Sequence, residues 1–154
     1  MSQQSQKLFP ATAGSFKSEI IELRPQRHLH VCTISRKDLN LGAESHYNGA
    51  NDTSSPGVTV FLIHGVAGSV EVWRLQIESL LAENSVQKIV AVDLIGHGRS
   101  SAPHDRQAYQ FEEIALDVTA LFTQFRSDSD SNIVIGHSYG LVPAWELGHL
   151  DVTW

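Results

Sequence analysis

The chain is poor in several things, and each shortage excludes a class of protein. It has one cysteine in 154 residues. Cys32 therefore has no internal disulfide partner, and a reducing compartment such as the cytoplasm is expected. A lone thiol in a β-favouring stretch reads as a small buried group in preference to a catalytic one. Positive charge is scarce too: 11 Lys and Arg face 17 Asp and Glu, for a formal charge of -6. No basic run occurs, so a nucleic-acid ligand, which needs clustered cations for its phosphates, is not expected. Long hydrophobic runs are missing as well. Val60–Ile63 falls far below the ~18 residues of a membrane span. The opening "MSQQSQKLFPATAGSF" lacks the apolar core of a secretory signal. No transmembrane segment is expected, while peripheral membrane contact and protein partners stay open. Asn51-Asp52-Thr53 fits a glycosylation sequon and, with no signal ahead of it, reads as an unmodified loop. His64, His97, His104 and His137 show no H-x-x-x-H spacing, and there is no thiolate pair, so neither a metal nor a cofactor is expected.

What is present suits a globular domain with a real core: 42% hydrophobic and 18% charged residues. Residues 1–18, rich in Gln, Ser, Ala and Thr, read as a mobile tail ahead of one domain over 19–154. "SEIIELRP" and "RHLHVCTI" are two short β-favouring stretches around Pro25-Gln26, which predicts an antiparallel hairpin. Residues 35–57 are dense in Asn, Gly, Asp, Ser and Pro and read as a long flexible loop. From Val58 an alternation sets in. "VTVFLI", "KIVAVDL" and "NIVIG" are apolar, β-branched runs suited to strands buried on both faces. Between them, Val72, Leu75, Ile77, Leu80 and Leu81 recur at near-helical spacing behind a capping Ser69. Ile114, Leu116, Val118, Leu121, Phe122 and Phe125 do the same. Strand and helix in turn predict an α/β fold, a mostly parallel sheet with helices on both faces and an antiparallel leading hairpin.

All three strand-to-helix junctions are glycine-rich, and they fall at the carboxyl-terminal edge of the sheet, where ligands bind in such folds. The third, "GHSYG", places Ser138 between Gly136 and Gly140. On a sharp strand-to-helix turn, these glycines give clearance, the hydroxyl is exposed, and the N–H of Tyr139 faces a developing oxyanion. A helix-capping serine is the plain alternative; the buried run before it and the helical pattern after it favour the nucleophile. The first, "HGVAGS", sets Gly65 and small neighbours beside the site and offers the N–H of Val66 as a second oxyanion donor. His64 reads as a residue holding that turn through loop backbone, in preference to a general base. In the second, "DLIGHGRSS", Asp93 could be catalytic, metal-binding or an anchor for nearby N–H groups, and anchoring is preferred. Gly96 and Gly98 permit tight turning, and His97 and Arg99 read as loop residues. Neither G-x-x-x-x-G-K-[ST] nor G-x-G-x-x-G occurs at these junctions, which argues against a bound nucleotide.

"HGVAG", "DLIGHGRS" and "GHSYG", in that order, resemble the α/β-hydrolase superfamily and, within it, the abhydrolase-domain-containing protein 8 group. The resemblance covers roughly residues 18–140. It implies a hydrolase of esters, amides or lipid acyl groups, with Ser138 matching the nucleophile and Val66 and Tyr139 the oxyanion donors. A small-molecule acyl ester or lipid is the implied substrate. In that superfamily the acid and the histidine follow the serine along the chain. Here only "LVPAWELGHLDVTW" follows Gly140, so Glu146, His149 and Asp151 are the downstream candidates, in the wrong order. A helix rising ~1.5 Å per residue would carry His149 ~16 Å from Ser138. Pro143 in the supporting helix, and the atypical tail over 141–154, complete the departure. The expectation is the amino-terminal part of such a hydrolase, ended after the elbow by splicing, a frame shift or a truncated gene model. Without its base it should be inactive as it stands, and it should leave an apolar sheet edge open. The alternative is a non-catalytic binding or regulatory protein.

Overall fold

The β-branched stretches form one sheet in a computed structural model of the chain, which describes residues 16–36 and 56–150. Its strands are β1 (Phe16–Arg24), β2 (Arg27–Ser35), β3 (Val58–Ile63), β4 (Val86–Val92) and β5 (Ser131–Gly136), in the order β1-β2-β4-β3-β5. β2 runs antiparallel to both β1 and β4, whereas β3 is parallel to β4 and to β5. Every strand but β2 therefore points the same way. The hairpin turns at Pro25-Gln26 as predicted, with Gln26 at φ 62.

Three helices follow the parallel strands: α1 (Arg74–Ala82), α2 (Phe111–Phe125) and α3 (Leu141–Leu150). Because strand side chains alternate between faces, each strand feeds two cores. Val60 and Leu62 of β3 pack with Trp73 and Ile77 on the α1 side. Phe61 and Ile63 pack with Ile114, Val118 and Leu121 of α2, with Leu147 of α3 against them. Helices thus cover both faces, as the alternation implies.

Several boundaries and faces differ from the sequence reading. β1 begins at Phe16, so Phe16, Lys17 and Ser18 belong to the sheet and not to a tail; Phe16 packs on the α1-side core. Ser35 closes β2, and Arg36 donates to the carbonyls of Leu81, Glu83 and Val86, pinning the end of α1 to the start of β4. Residues 37–55, with the Asn51 sequon, lie outside the described residues, as do residues 1–15 and 151–154. In the first helical segment Val72 and Leu75 point outward, 52% and 62% exposed, while Val70, Trp73 and Ile77 turn inward. A 3-10 turn over Val70–Trp73, capped by Ser69 Oγ accepting from Glu71 N, precedes α1 and shifts its phase away from a continuous 3.6-residue period. Leu116 on α2 is also half-exposed. Pro143 does not break the supporting helix. A 3-10 turn over Ser138–Gly140 comes first, α3 starts at Leu141, and Pro143 falls in its first turn, where an N–H has no intrahelical acceptor. Among the described residues β5 is an outer strand, with Ile133 45% exposed. An apolar groove of about 330 Å³ runs between it and α1, lined by Leu62, Trp73, Leu80 and Ile135.

One tie escaped the sequence reading. Asp117 on α2 is 1% exposed and accepts from Arg27 Nε and Nη2 and from Arg24 Nη1 at 3.0 Å. Glu113 adds a second bond to Arg24 at 2.9 Å. A buried carboxylate thus fastens the hairpin turn to α2. Asp117→Ala leaves the buried Arg27 unpaired and should cost about 3–5 kcal/mol. The check is a lowered urea midpoint at unchanged m-value in equilibrium unfolding.

Candidate active site

The third junction is held by backbone. His137 N donates to Ile63 O at 3.0 Å, locking the end of β5 to the end of β3. The next residue, Ser138, has φ 53, in the left-handed region that a side chain seldom occupies. A Cβ on Gly136 would fall 2.4 Å from Gly140 O, and a Cβ on Gly140 would fall 2.4 Å from Ile63 O. Only glycine fits at either position. Ser138 is exposed, and its hydroxyl has no hydrogen-bond partner among the described residues.

The first junction lies directly against it. A Cβ on Gly65 would come 2.9 Å from both Ser138 Cβ and His137 O. Beyond Gly65 the chain turns through Ala67 at φ 60, closed by Gly68 N donating to Gly65 O at 3.1 Å. Val66, at the tip, is 70% exposed. Neither the Val66 N–H nor the Tyr139 N–H has a hydrogen-bond partner among the described residues. Behind this turn His64 is fully buried. Its Nδ1 donates to Gly65 O at 2.7 Å and its Nε2 accepts from Leu94 N at 2.9 Å. Burial pushes its pKa below 6.5, so the ring is a neutral brace between two junctions, with no nitrogen left for Ser138.

The second junction is organised by Asp93, 2% exposed at the end of β4. Its Oδ1 accepts from Val70 N at 2.6 Å, and its Oδ2 accepts from Arg99 N at 2.9 Å and from His30 Nδ1 at 2.7 Å. Burial alone would raise its pKa. The bonds from His30, Arg99 N and Val70 N outweigh that and hold the carboxyl below its usual 3.8. Gly98, at φ 52, leaves room for this carboxylate: a Cβ there would sit 2.1 Å from Oδ2. Gly96, at φ 75, passes under Tyr109, and His97 Nδ1 donates to Ile95 O at 3.0 Å. His30 was not singled out from the sequence. It lies 63 residues from Asp93, and nothing in its spacing marks it.

Of the downstream candidates, Glu146 is exposed on α3, His149 lies on the same helix, and Asp151 is outside the described residues. No described acid or histidine hydrogen-bonds Ser138. Cys32 is buried, which raises its thiol pKa to about 12 and disqualifies it as a nucleophile. No helix among the described residues is long and apolar enough to cross a membrane.

Because the folded Asp93 titrates below 3.8, its contribution to stability is present above that pH and lost as pH falls through the folded value. Asp93→Asn should destabilise the chain by about 1–3 kcal/mol at pH 7. The gap to the unsubstituted chain should close on acidification below pH 3.8, as read from urea midpoints along a pH series.

The comparisons agree with this geometry. The family model described as "alpha/beta hydrolase fold" matches residues 58–147. Protein ABHD8 of Homo sapiens is 35% identical over 149 residues, covering 93% of this chain and 30% of that protein. Epoxide hydrolase B of Mycobacterium tuberculosis is 30% identical over 109 residues, covering 71% of this chain and 30% of that protein. The chain therefore spans about a third of the length of these relatives. Among solved structures, the epoxide hydrolase VrEH1 from Vigna radiata superimposes with TM-score 0.63 at 21% identity, over 88% of this chain and 34% of that one, a likeness of fold alone. A strained serine turn, two abutting glycine loops and a sheet in this order agree with the family match: the chain belongs to the α/β-hydrolase fold family and is similar to its ABHD8 group.

Proposed function

We propose that Ser138 is the nucleophile of a serine hydrolase cleaving an ester or lipid acyl bond, with the N–H groups of Val66 and Tyr139 receiving the oxyanion. One observation carries this reading: Ser138 stands exposed at φ 53, with Gly65 packed directly against it and the N–H groups of Val66 and Tyr139 without partners among the described residues. Attack of Oγ on an acyl carbon moves negative charge onto the carbonyl oxygen. A single well-placed donor at that oxygen is worth about 10²–10³ in rate. The carbonyl-free alternative is chemically poor. A serine oxygen opening an epoxide would end as an ether, which offers water no carbonyl to attack; an acyl-serine is an ester that water can cleave. The relatives named epoxide hydrolases thus support the fold and a hydrolytic site, and the serine points to acyl transfer.

Among the described residues nothing takes the proton from Ser138. By this reading the acid and the base come from further chain, and the hydroxyl of the 154-residue chain alone is a weak nucleophile. The same observation favours a second reading for that chain by itself, a non-catalytic binding or regulatory protein.

In a form extended to the length of its relatives, a fluorophosphonate probe should label Ser138. Ser138→Ala should abolish that label, and Gly65→Ala, whose methyl would press on the elbow, should slow it at least tenfold. Labelling of the Ser138 peptide that is indifferent to Gly65→Ala, or no labelling there at all, would end the assignment. For the 154-residue chain, Ser138-dependent turnover of a p-nitrophenyl ester would end the second reading.

A further inference from the structure

Among the described residues no base reaches Ser138, but one reaches another serine. On the hairpin side of the sheet, Ser18 Oγ of β1 lies 2.7 Å from His30 Nε2 of β2, and His30 Nδ1 lies 2.7 Å from Asp93 Oδ2. A carboxylate only accepts, and this one is held ionised by three donated bonds, so Nδ1 carries a proton toward it. In the neutral ring, Nε2 then has its lone pair directed at the Ser18 hydroxyl. That is a serine, a histidine and an aspartate in relay order, recognised by geometry and not by motif. Arg99 Nη1 donates to Ser18 Oγ at 2.9 Å and lies 3.3 Å from His30 Nε2. The remaining neighbour, Cys32 Sγ, is 3.5 Å from Nε2, and its thiol, pushed up to about 12, does not compete as a nucleophile.

Burial separates the roles. Asp93 and His30 are 2% and 4% exposed, whereas Ser18 is half-buried and Arg99 is exposed. The acid and base are shielded, and the hydroxyl is the member that meets solvent. The cluster is not part of the elbow. Ser18 is on β1 and Ser138 follows β5, at opposite edges of the sheet, four ladder spacings of about 4.8 Å apart, or ~19 Å.

We propose that Ser18 is a second nucleophile, which accepts acyl or phosphonyl groups from small activated esters with His30 as base, Asp93 as its orienting acid and Arg99 as the cation facing the developing charge. With an ester, the Ser18 O–H proton passes to His30 Nε2 as Oγ bonds to the carbonyl carbon. The alkoxide then leaves with its electron pair and takes that proton. Water, deprotonated by the same nitrogen, releases the acid and restores the hydroxyl. With a fluorophosphonate, the Oγ–P bond forms and fluoride leaves, which traps the serine. This proposal does not depend on the reading of Ser138.

The test is to treat the 154-residue chain with a fluorophosphonate and map the modified peptide by mass spectrometry. The expected result is a label on the peptide holding Ser18. It should be abolished by Ser18→Ala and slowed at least tenfold by His30→Gln in protein whose circular dichroism is unchanged. Should His30→Gln fail to fold, Arg99→Gln, an exposed position, replaces it, with slowing of at least threefold expected. An unlabelled Ser18 peptide overturns the proposal. So does labelling whose rate is the same in the substituted, folded chain. A label on the Ser138 peptide reports on the other site and is read separately.

Discussion

The site depends on a single buried carboxylate. Asp93 collects a backbone N–H from the first junction at Val70, a backbone N–H from its own loop at Arg99, and a ring N–H from the hairpin at His30. These segments come from three separate regions of the chain, and without a common acceptor the Val70 N–H and the His30 ring would be left as buried, unsatisfied donors. Any two loops could be held by packing alone. Three segments around a charge are held by direction as well, because each donor must point at a particular oxygen. His64 repeats the device on a smaller scale, joining Gly65 O to Leu94 N. Between them, the two side chains tie the first two glycine-rich junctions together, and backbone joins the third to them, with His137 N donating to Ile63 O.

That rigidity is what allows strain at Ser138. A left-handed serine relaxes unless its neighbours forbid it. Here the neighbours are backbone: Ile63 O holds His137 N, and the carbonyls around Gly136 and Gly140 leave no room for movement or for a methyl group. The elbow is therefore supported by β3 and β5 together, the central and outer members of the parallel ladder. Among the described residues the Val66 and Tyr139 amides have no internal acceptor, which is what suits them to the oxyanion role proposed above. The hairpin side uses the same carboxylate differently. Through His30, Asp93 directs a lone pair toward Ser18, so a carboxylate at the end of the central strand polarises a hydroxyl on the β1 edge.

The apolar surface is unevenly closed. α2 and α3 cover one face, and the hairpin is clamped to α2 through Asp117. On the other face α1 is a short helix, the groove beside it is lined by Ile135 of β5, and Ile133 on the same strand is exposed. Such an edge favours association through its open face and unpaired backbone. The exposed Leu75 and Val72 sit on the same side of the domain because the 3-10 turn ahead of α1 rotates them away from the core.

The sequence by itself determined the elements and their order. β-branched runs such as "VTVFLI" and the helical period of Phe111–Phe125 are local signals, read within a few residues, and both coincide with observed elements. Glycine spacing likewise located the Ser138 turn, because only a glycine tolerates the close backbone approach at 136 and 140. Tertiary structure decided everything that depends on distant partners. The phase of α1 followed from a 3-10 turn that buries Val70 and Trp73, and Pro143 became harmless because a preceding turn reset the helix start. His30 and Ser18 carry no pattern of their own. They became a relay with Asp93 because β2 pairs with both β1 and β4, and such register is set by the folding of the whole sheet, not by any single stretch of the chain.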